Sequence, residues 1–159
     1  RGARVNPYGR LVRQLGRTRA FAWVGSRVLH RADLRLRGGG RSLTTFATDF
    51  PLCFLTTTGR RSGEPRTVPL LWVPGDGSSV VVIGSNWGRK SHPAWALNLD
   101  AEPAAAVAVD GAERPVRARR ASGEERERYW ARAIEIWPGY DGYSRRAGRE
   151  IRVYVLEPA

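Results

Sequence analysis

Two hydrophobic periodicities divide the chain. Between residues 10 and 31, apolar side chains recur at Leu11, Leu15, Phe21, Val24, Val28 and Leu29, with arginines at 10, 13, 17, 27 and 31. That stripe predicts an amphipathic basic helix, and Gly38-Gly39-Gly40 predicts a hinge after it. From Phe50 onward the pattern changes to short β-rich runs separated by turn residues. Strands are expected over 51–58, 66–73 and 79–84, with turns at 59–63 and 74–77, which reads as a β-meander. A loop over 85–91 leads to a short helix from about 92 to 99, which Pro103 keeps from continuing. A hairpin follows, 104–109 and 114–121, turning through Asp110-Gly111. Ser122 and Glu125 have the spacing of a capping box, opening a helix to about Trp137 whose inner face is Tyr129, Trp130, Ala133, Ile134 and Trp137. An aromatic, glycine-rich loop and a last strand over 151–156 close the chain. Six strands with two or three helices predict a mainly β, α+β domain built on an antiparallel barrel rather than a βαβ sheet.

Composition narrows the class. The chain has 159 residues, enough for one hydrophobic core, and no run near the roughly 20 apolar residues of a membrane span. The net charge of +12 is uneven: residues 1–41 hold eleven arginines against Asp33, while residues 42–159 hold sixteen basic residues against fourteen acids. The chain therefore divides into a basic arm, 1–41, and a body, 42–159. The arm suits a membrane surface or nucleic acid, and charge alone does not choose. With no secretory signal in view, the expected location is cytoplasmic, with the arm able to place the protein on the inner face of a membrane. Cys53 is the only cysteine and sits in an apolar run, so a core thiol is expected and a disulfide is excluded. His30 and His92 are the only histidines, neither at metal-ligand spacing, so no metal is expected. There is no G-x-S-x-G elbow, and no G-x-G-x-x-G between a strand and a helix.

Candidate chemistry comes from topology. In an up-down-up meander the 59–65 turn and the 85–91 loop lie at one end, bringing together Arg60, Arg61, Arg66, Arg89 and Lys90, the chain's only lysine. Gly59, Gly63 and Gly88 let backbone amides approach an anion. Four charge-assisted contacts contribute roughly 6–12 kcal/mol against an association cost of about 4–15, so a tight ligand must also bury a ring. Trp72, Trp87 and Trp95 lie in or beside the same segments; Trp95 also reads as core, and the loop residue Trp87 is the better ligand wall. Few acid–base groups beside a ring-and-phosphate site fit a redox cofactor.

These residues resemble a family. Residues 55–70, L-T-T-T-G-R-R-S-G-E-P-R-T-V-P-L, and 84–103, G-S-N-W-G-R-K-S-H-P-A-W-A-L-N-L-D-A-E-P, resemble the deazaflavin-dependent nitroreductases, also described as F420H2-dependent quinone reductases. The likeness continues through Tyr129-Trp130, the P-G-Y-D-G-Y stretch from Pro138 and Glu157-Pro158, covering about residues 45–158. It implies a split β-barrel of the flavin-mononucleotide-binding type that takes reduced coenzyme F420 and passes hydride to a small organic acceptor: a quinone, nitro compound or activated enone. It implies that Arg60, Arg61 and Arg66 hold the phosphate and oligoglutamate tail. Ser85 would lie near the ring, with Asn86, Trp87, Gly88, Arg89 and Lys90 completing the loop and Pro93, Trp95 and Asn98 shaping the next helix. Leu71, Trp137, Tyr140 and Tyr143 would line the acceptor pocket, and Tyr140, Tyr143 or Ser85 would donate a hydrogen bond to the acceptor oxygen.

Departures fall mainly on the acceptor side. Leu71 stands where nitro-reducing members often have tyrosine, Trp137 replaces the first tyrosine of the late loop, and Ala96 replaces an aromatic residue. The rival readings are a flavin-mononucleotide enzyme and a barrel that binds cofactor or lipid without turnover. Nucleic acid is not expected as a partner, since only the arm would serve it.

Overall fold

The computed structural model describes residues 50–159; the arm, its helix over 10–31 and the hinge at 38–40 lie outside the described residues. Six strands form the body: β1 (Leu52–Thr58), β2 (Pro65–Pro74), β3 (Val80–Ile83), β4 (Ala104–Val109), β5 (Ala112–Arg120) and β6 (Val153–Pro158). Three helices accompany them: α1 (Ala94–Ala101), α2 (Gly123–Ile136) and α3 (Gly139–Ala147). The strands close into a barrel in the order β1-β2-β3-β6-β5-β4, every pair antiparallel. Closure removes the exposed edges that an open sheet would leave. The split-barrel fold is as expected.

Alternation along each strand explains the two cores. Cys53 and Leu55 of β1 pair with Leu70 and Val68 of β2 and face the barrel interior, together with Val80, Val82, Val107, Val116 and Leu156. Trp95, Ala96 and Leu99 of α1 plug the top of this interior, and the Trp95 ring meets Tyr154 edge-on at 5.5 Å. The opposite faces of β2, β3 and β6 carry Val73, Val81, Ile83, Val153 and Val155, which α2 and α3 cover with Tyr129, Ala133, Trp137, Tyr140 and Tyr143. Cys53 is fully buried, and burial pushes its thiol up to about pKa 12, as befits a core thiol rather than a reactive one.

Strand length creates the site. β2 has ten residues and β3 only four, and their pairing is confined to Trp72–Pro74 with Val80–Val82. The upper stretch of β2, residues 65–71, therefore overhangs β3. Pro69 sits on this overhang, where its missing N–H costs no rung to β3.

Two local expectations fail. Ser122 occupies the N-cap of α2, but its side chain makes no capping bond. Glu125 instead binds Arg119 of β5 through two contacts of 2.7 Å, because a bidentate guanidinium outcompetes a backbone amide for a carboxylate. The glycine-rich stretch after Trp137 is a helix, α3, rather than a loop. Pro138 fits its N-terminus with φ −58°, and Gly148 in the left-handed region ends it. Its buried face is Tyr140, Tyr143 and Ala147. By contrast, the Asp110-Gly111 turn has φ of 50° and 84°, the two positive values a type I′ hairpin requires.

Candidate active site

Under the overhang lies a groove of about 850 Å³ between upper β2, the 59–64 turn and α1. Arg60, Arg61, Ser62, Arg66, Val68, Trp95 and Asn98 are among its lining residues. The turn closes on itself: Gly59 N–H donates to Glu64 O at 2.8 Å and Gly63 N–H to Gly59 O at 2.7 Å. Gly63 takes φ 69°, so a side chain there would be strained. A polar bridge then ties the turn to α1. Arg60 N–H donates to Asn98 Oδ1 at 3.1 Å, and Asn98 Nδ2 donates to Thr57 Oγ1 at 3.0 Å. None of Arg60, Arg61 and Arg66 is in an ion pair among the described residues; Arg66 Nη2 donates only to Ser62 Oγ, at 3.4 Å. Three guanidinium groups without a carboxylate partner, around a groove floored by apolar atoms and Trp95, suit an anion attached to a larger body.

The second loop leaves β3 at the same end, since β1 and β3 both run antiparallel to β2. Its turn, Asn86–Gly88, has three successive left-handed residues, with φ of 47°, 58° and 75°. For Asn86 and Trp87 this is strained backbone, on the order of 1–3 kcal/mol each, and such strain concentrates at functional sites. Asn86 Nδ2 donates to Ser91 O at 2.9 Å, holding the turn closed. The Trp87 ring lies 6.3 Å from that of Tyr143.

Trp137, Tyr140 and Tyr143 do come together. They are 4%, 5% and 2% exposed and form one aromatic cluster with Phe50, which meets Trp137 edge-on at 5.4 Å. Trp137 Nε1–H donates to the Tyr143 hydroxyl at 3.3 Å, and Tyr140 and Tyr143 stack edge-to-face at 6.1 Å. Burial raises the pKa of both tyrosines, so each hydroxyl keeps its proton at neutral pH. Leu71 and Trp87 pack on this cluster while only partly buried, and form its border.

The anticipated residues thus fall into two groups. Arg60, Arg61, Arg66 and Trp95 share the groove. Ser85, Asn86, Trp87 and Gly88 belong to the second loop, where Trp87 and Gly88 pack toward α3; a Cβ on Gly88 would stand 3.0 Å from the Tyr143 Cα. Arg89 and Lys90 are exposed at the loop's far end, and Pro93 is the N-cap of α1. Two residues do more than the sequence indicates. Asn98 is more than a helix-shaping residue, because it bridges turn and helix. Arg149 lay among many arginines with no local pattern to mark it, yet its guanidinium binds backbone carbonyls throughout the second loop. Among the described residues no group of three or more His, Cys, Asp or Glu could hold a metal ion, and no helix is long and apolar enough to cross a membrane.

Comparison with known proteins agrees with this geometry. The family model for F420H(2)-dependent quinone reductases matches residues 28–158. The chain belongs to the F420H(2)-dependent quinone reductase family. A Mycobacterium tuberculosis protein named for the same family is 33% identical over 113 residues, 71% of this chain and 94% of its own. An F420H(2)-dependent quinone reductase of the same organism is 30% identical over 137 residues, 84% of this chain and 91% of that one. A solved F420-H2 dependent reductase is 37% identical with a TM-score of 0.62, covering 67% of this chain and 94% of that one. A second solved structure, described as a domain-swapped dimer, is 34% identical with a TM-score of 0.64, covering 78% and 92%. The chain is an F420H2-dependent oxidoreductase on a split β-barrel. Reduced coenzyme F420 is its cofactor, and the residues present fit that group: guanidinium groups without a carboxylate partner among the described residues suit an anionic tail.

Proposed function

We propose that this family member reduces a quinone-type acceptor, with the F420 tail held in the β2–α1 groove and the acceptor over Leu71 and Trp87. The observation that carries the reading is the trio Arg60, Arg61 and Arg66, beside Trp95 and without an acidic partner among the described residues. Bound F420H2 supplies the hydride. The protein binds, orients and excludes water. The arginines fix the anionic tail, the 84–91 loop sets the position of the ring, and the buried aromatic cluster backs the acceptor side. Tyr143, whose hydroxyl keeps its proton at neutral pH, is the first candidate to donate a hydrogen bond to an acceptor oxygen that gains charge. Tyr140 and Ser85 are the alternative donors. A planar, apolar acceptor fits the half-exposed edge of Leu71 and Trp87, and the same surface would take a nitroaromatic compound.

The arm adds a second element. Eleven arginines in residues 1–41 would draw the protein to an anionic membrane surface, on the cytoplasmic side, where a lipid-soluble quinone resides. Mixing the protein with F420H2 and menadione, and following loss of reduced cofactor, tests the reading. Turnover with menadione is expected, with weaker turnover of a nitroaromatic compound. Loss of menadione turnover together with efficient nitro reduction would overturn the acceptor assignment. Removal of residues 1–41 should leave soluble-quinone turnover intact and abolish sedimentation with anionic vesicles.

A further inference from the structure

We infer that Arg149 is a positioning residue that clamps the 84–92 loop into its F420-binding conformation, and that His92 makes the clamp sensitive to acid. The inference rests on the reading that this loop sets the position of the cofactor ring. Arg149 follows α3, some sixty residues beyond the loop, yet its guanidinium reaches nearly the whole segment. Nη2 donates to Gly84 O at 3.2 Å, Ser85 O at 3.3 Å and Ser91 O at 3.0 Å, while Nε donates to Arg89 O at 3.3 Å. Nη1 meets His92 Nδ1 at 3.0 Å and also donates to its neighbour Glu150 O at 3.1 Å. Both ends of the loop are thus fastened to one rigid planar fork, a geometry that a lysine ammonium does not reproduce.

The loop needs such a fastener. Its centre holds Asn86 and Trp87 in the left-handed region, where a non-glycine residue persists only if the surroundings over-determine it. Asn86 ties to Ser91, and the Gly88 and Arg89 amides donate to Ser85 O and Asn86 O, while Arg149 fastens the turn to the segment after α3. Releasing the fork lets Trp87 relax toward ordinary backbone angles, moving Ser85 and the Trp87 ring together.

His92 is where pH enters. A guanidinium nitrogen carries no lone pair for hydrogen bonding, so the 3.0 Å contact requires Nδ1 to be the acceptor and the imidazole to be neutral. The groups facing the ring are Arg149, Arg152 of the segment leading into β6, Arg120 of β5 and Asp100 of α1, with Glu150 in the same small cavity. Burial, and then the charges of Arg149, Arg152 and Arg120 against the single opposing carboxylate of Asp100, hold His92 below its ordinary pKa. Protonation would both remove the acceptor and set a cation against Arg149, so the clamp is intact at neutral pH and loosens as pH falls below the usual histidine range.

Wild type, Arg149→Lys and His92→Asn decide the matter, the asparagine oxygen replacing Nδ1 with an acceptor that does not titrate. Amide hydrogen exchange in the cofactor-free proteins reads the clamp, and F420 titration through tryptophan fluorescence at pH 7.5 and 5.5 reads its consequence. In Arg149→Lys, amides of residues 85–91 should exchange about tenfold faster with the β-strand amides unchanged, and F420 affinity should fall about tenfold. Wild type should lose affinity from pH 7.5 to 5.5 by more than His92→Asn does. Unchanged loop exchange and unchanged affinity in Arg149→Lys would overturn the clamp, and equal pH responses of wild type and His92→Asn would overturn the role of His92. Failure of wild type to bind F420 would instead remove the functional reading, leaving hydrogen exchange to decide whether Arg149 orders the loop.

Discussion

Asn98→Ala cuts the bridge that joins the arginine turn to the barrel, and its cost can be worked from the structure. Asn98 is 4% exposed and Thr57 1%, and Asn98 links Thr57 Oγ1 to the Arg60 amide. Truncation removes two hydrogen bonds, each contributing about 1 kcal/mol. The Arg60 amide lies on an exposed turn and recovers a water, so little more is lost there. Thr57 is buried, and its stranded hydroxyl costs about 1–3 kcal/mol. The sum is about 3–5 kcal/mol, corresponding to a fall in Tm of about 10–15 °C for a domain of this size. Urea denaturation measures the first quantity and F420 titration the second consequence: with its tether gone, Arg60 should grip the tail less well and Kd should rise. Asn98→Asp separates the two effects. It can still accept from the Arg60 amide and from the Thr57 hydroxyl, so it should retain more stability than the alanine variant. Its carboxylate beside three arginines should nevertheless weaken anion binding at least as much. An Asn98→Ala protein within about 0.5 kcal/mol of wild type, the range of ordinary surface substitutions, would refute the reasoning.

Further outcomes follow from single contacts. Gly88→Ala places a Cβ 3.0 Å from the Tyr143 Cα at φ 75°, so it should cost about 1–3 kcal/mol and weaken F420 binding, measured by thermal unfolding and fluorescence titration. Tyr143→Phe removes the hydroxyl that accepts from Trp137 Nε1–H at 3.3 Å, lowering stability by about 1 kcal/mol; steady-state kinetics should show kcat for menadione falling about tenfold while the F420 KM stays near its wild-type value. Because the Cys53 thiol is pushed up to about 12 by burial, the unfolded chain releases its proton first as pH rises. The thiol's contribution is therefore whole below about pH 9 and lost progressively above it, at up to about 1.4 kcal/mol per pH unit, before the tyrosines titrate. Cys53→Ala should flatten the fall in Tm between pH 9 and 10.

Much of the fold can be read directly from the chain because a β-meander leaves a period-two imprint. Leu55, Val68, Val80 and Val82 alternate with outward positions, and turn residues fall where strands end. What escapes is decided by contacts distant in sequence. Glu125 has the spacing of a cap, yet Arg119 from the neighbouring strand claims it. The stretch from Pro138 to Tyr143 looks like a loop because of its two glycines, while the spacing of Tyr140, Tyr143 and Ala147 is the helical stripe that burial against the barrel makes decisive. The arginine groove is legible in part: Arg60, Arg61 and Arg66 cluster around one turn, whereas Arg89 and Lys90, expected beside them, are not among its lining residues. Arg149 was invisible because its meaning comes from carbonyls of a distant loop, and a backbone carbonyl leaves no mark on sequence. Asn98 gave a fainter sign, a polar residue on the same helix face as Trp95 and Leu99.

The groove itself is the central claim, and comparing two ligands tests it most directly. Calorimetric titration of wild type and of the Arg60→Ala/Arg66→Ala variant, each with F420 and with the deazaflavin nucleoside that lacks phosphate and tail, isolates the contribution of the guanidinium groups. Wild type should prefer intact F420 by about a hundredfold, and the variant should lose most of that preference while binding the nucleoside as wild type does. Equal affinity of wild type for both ligands would contradict the account.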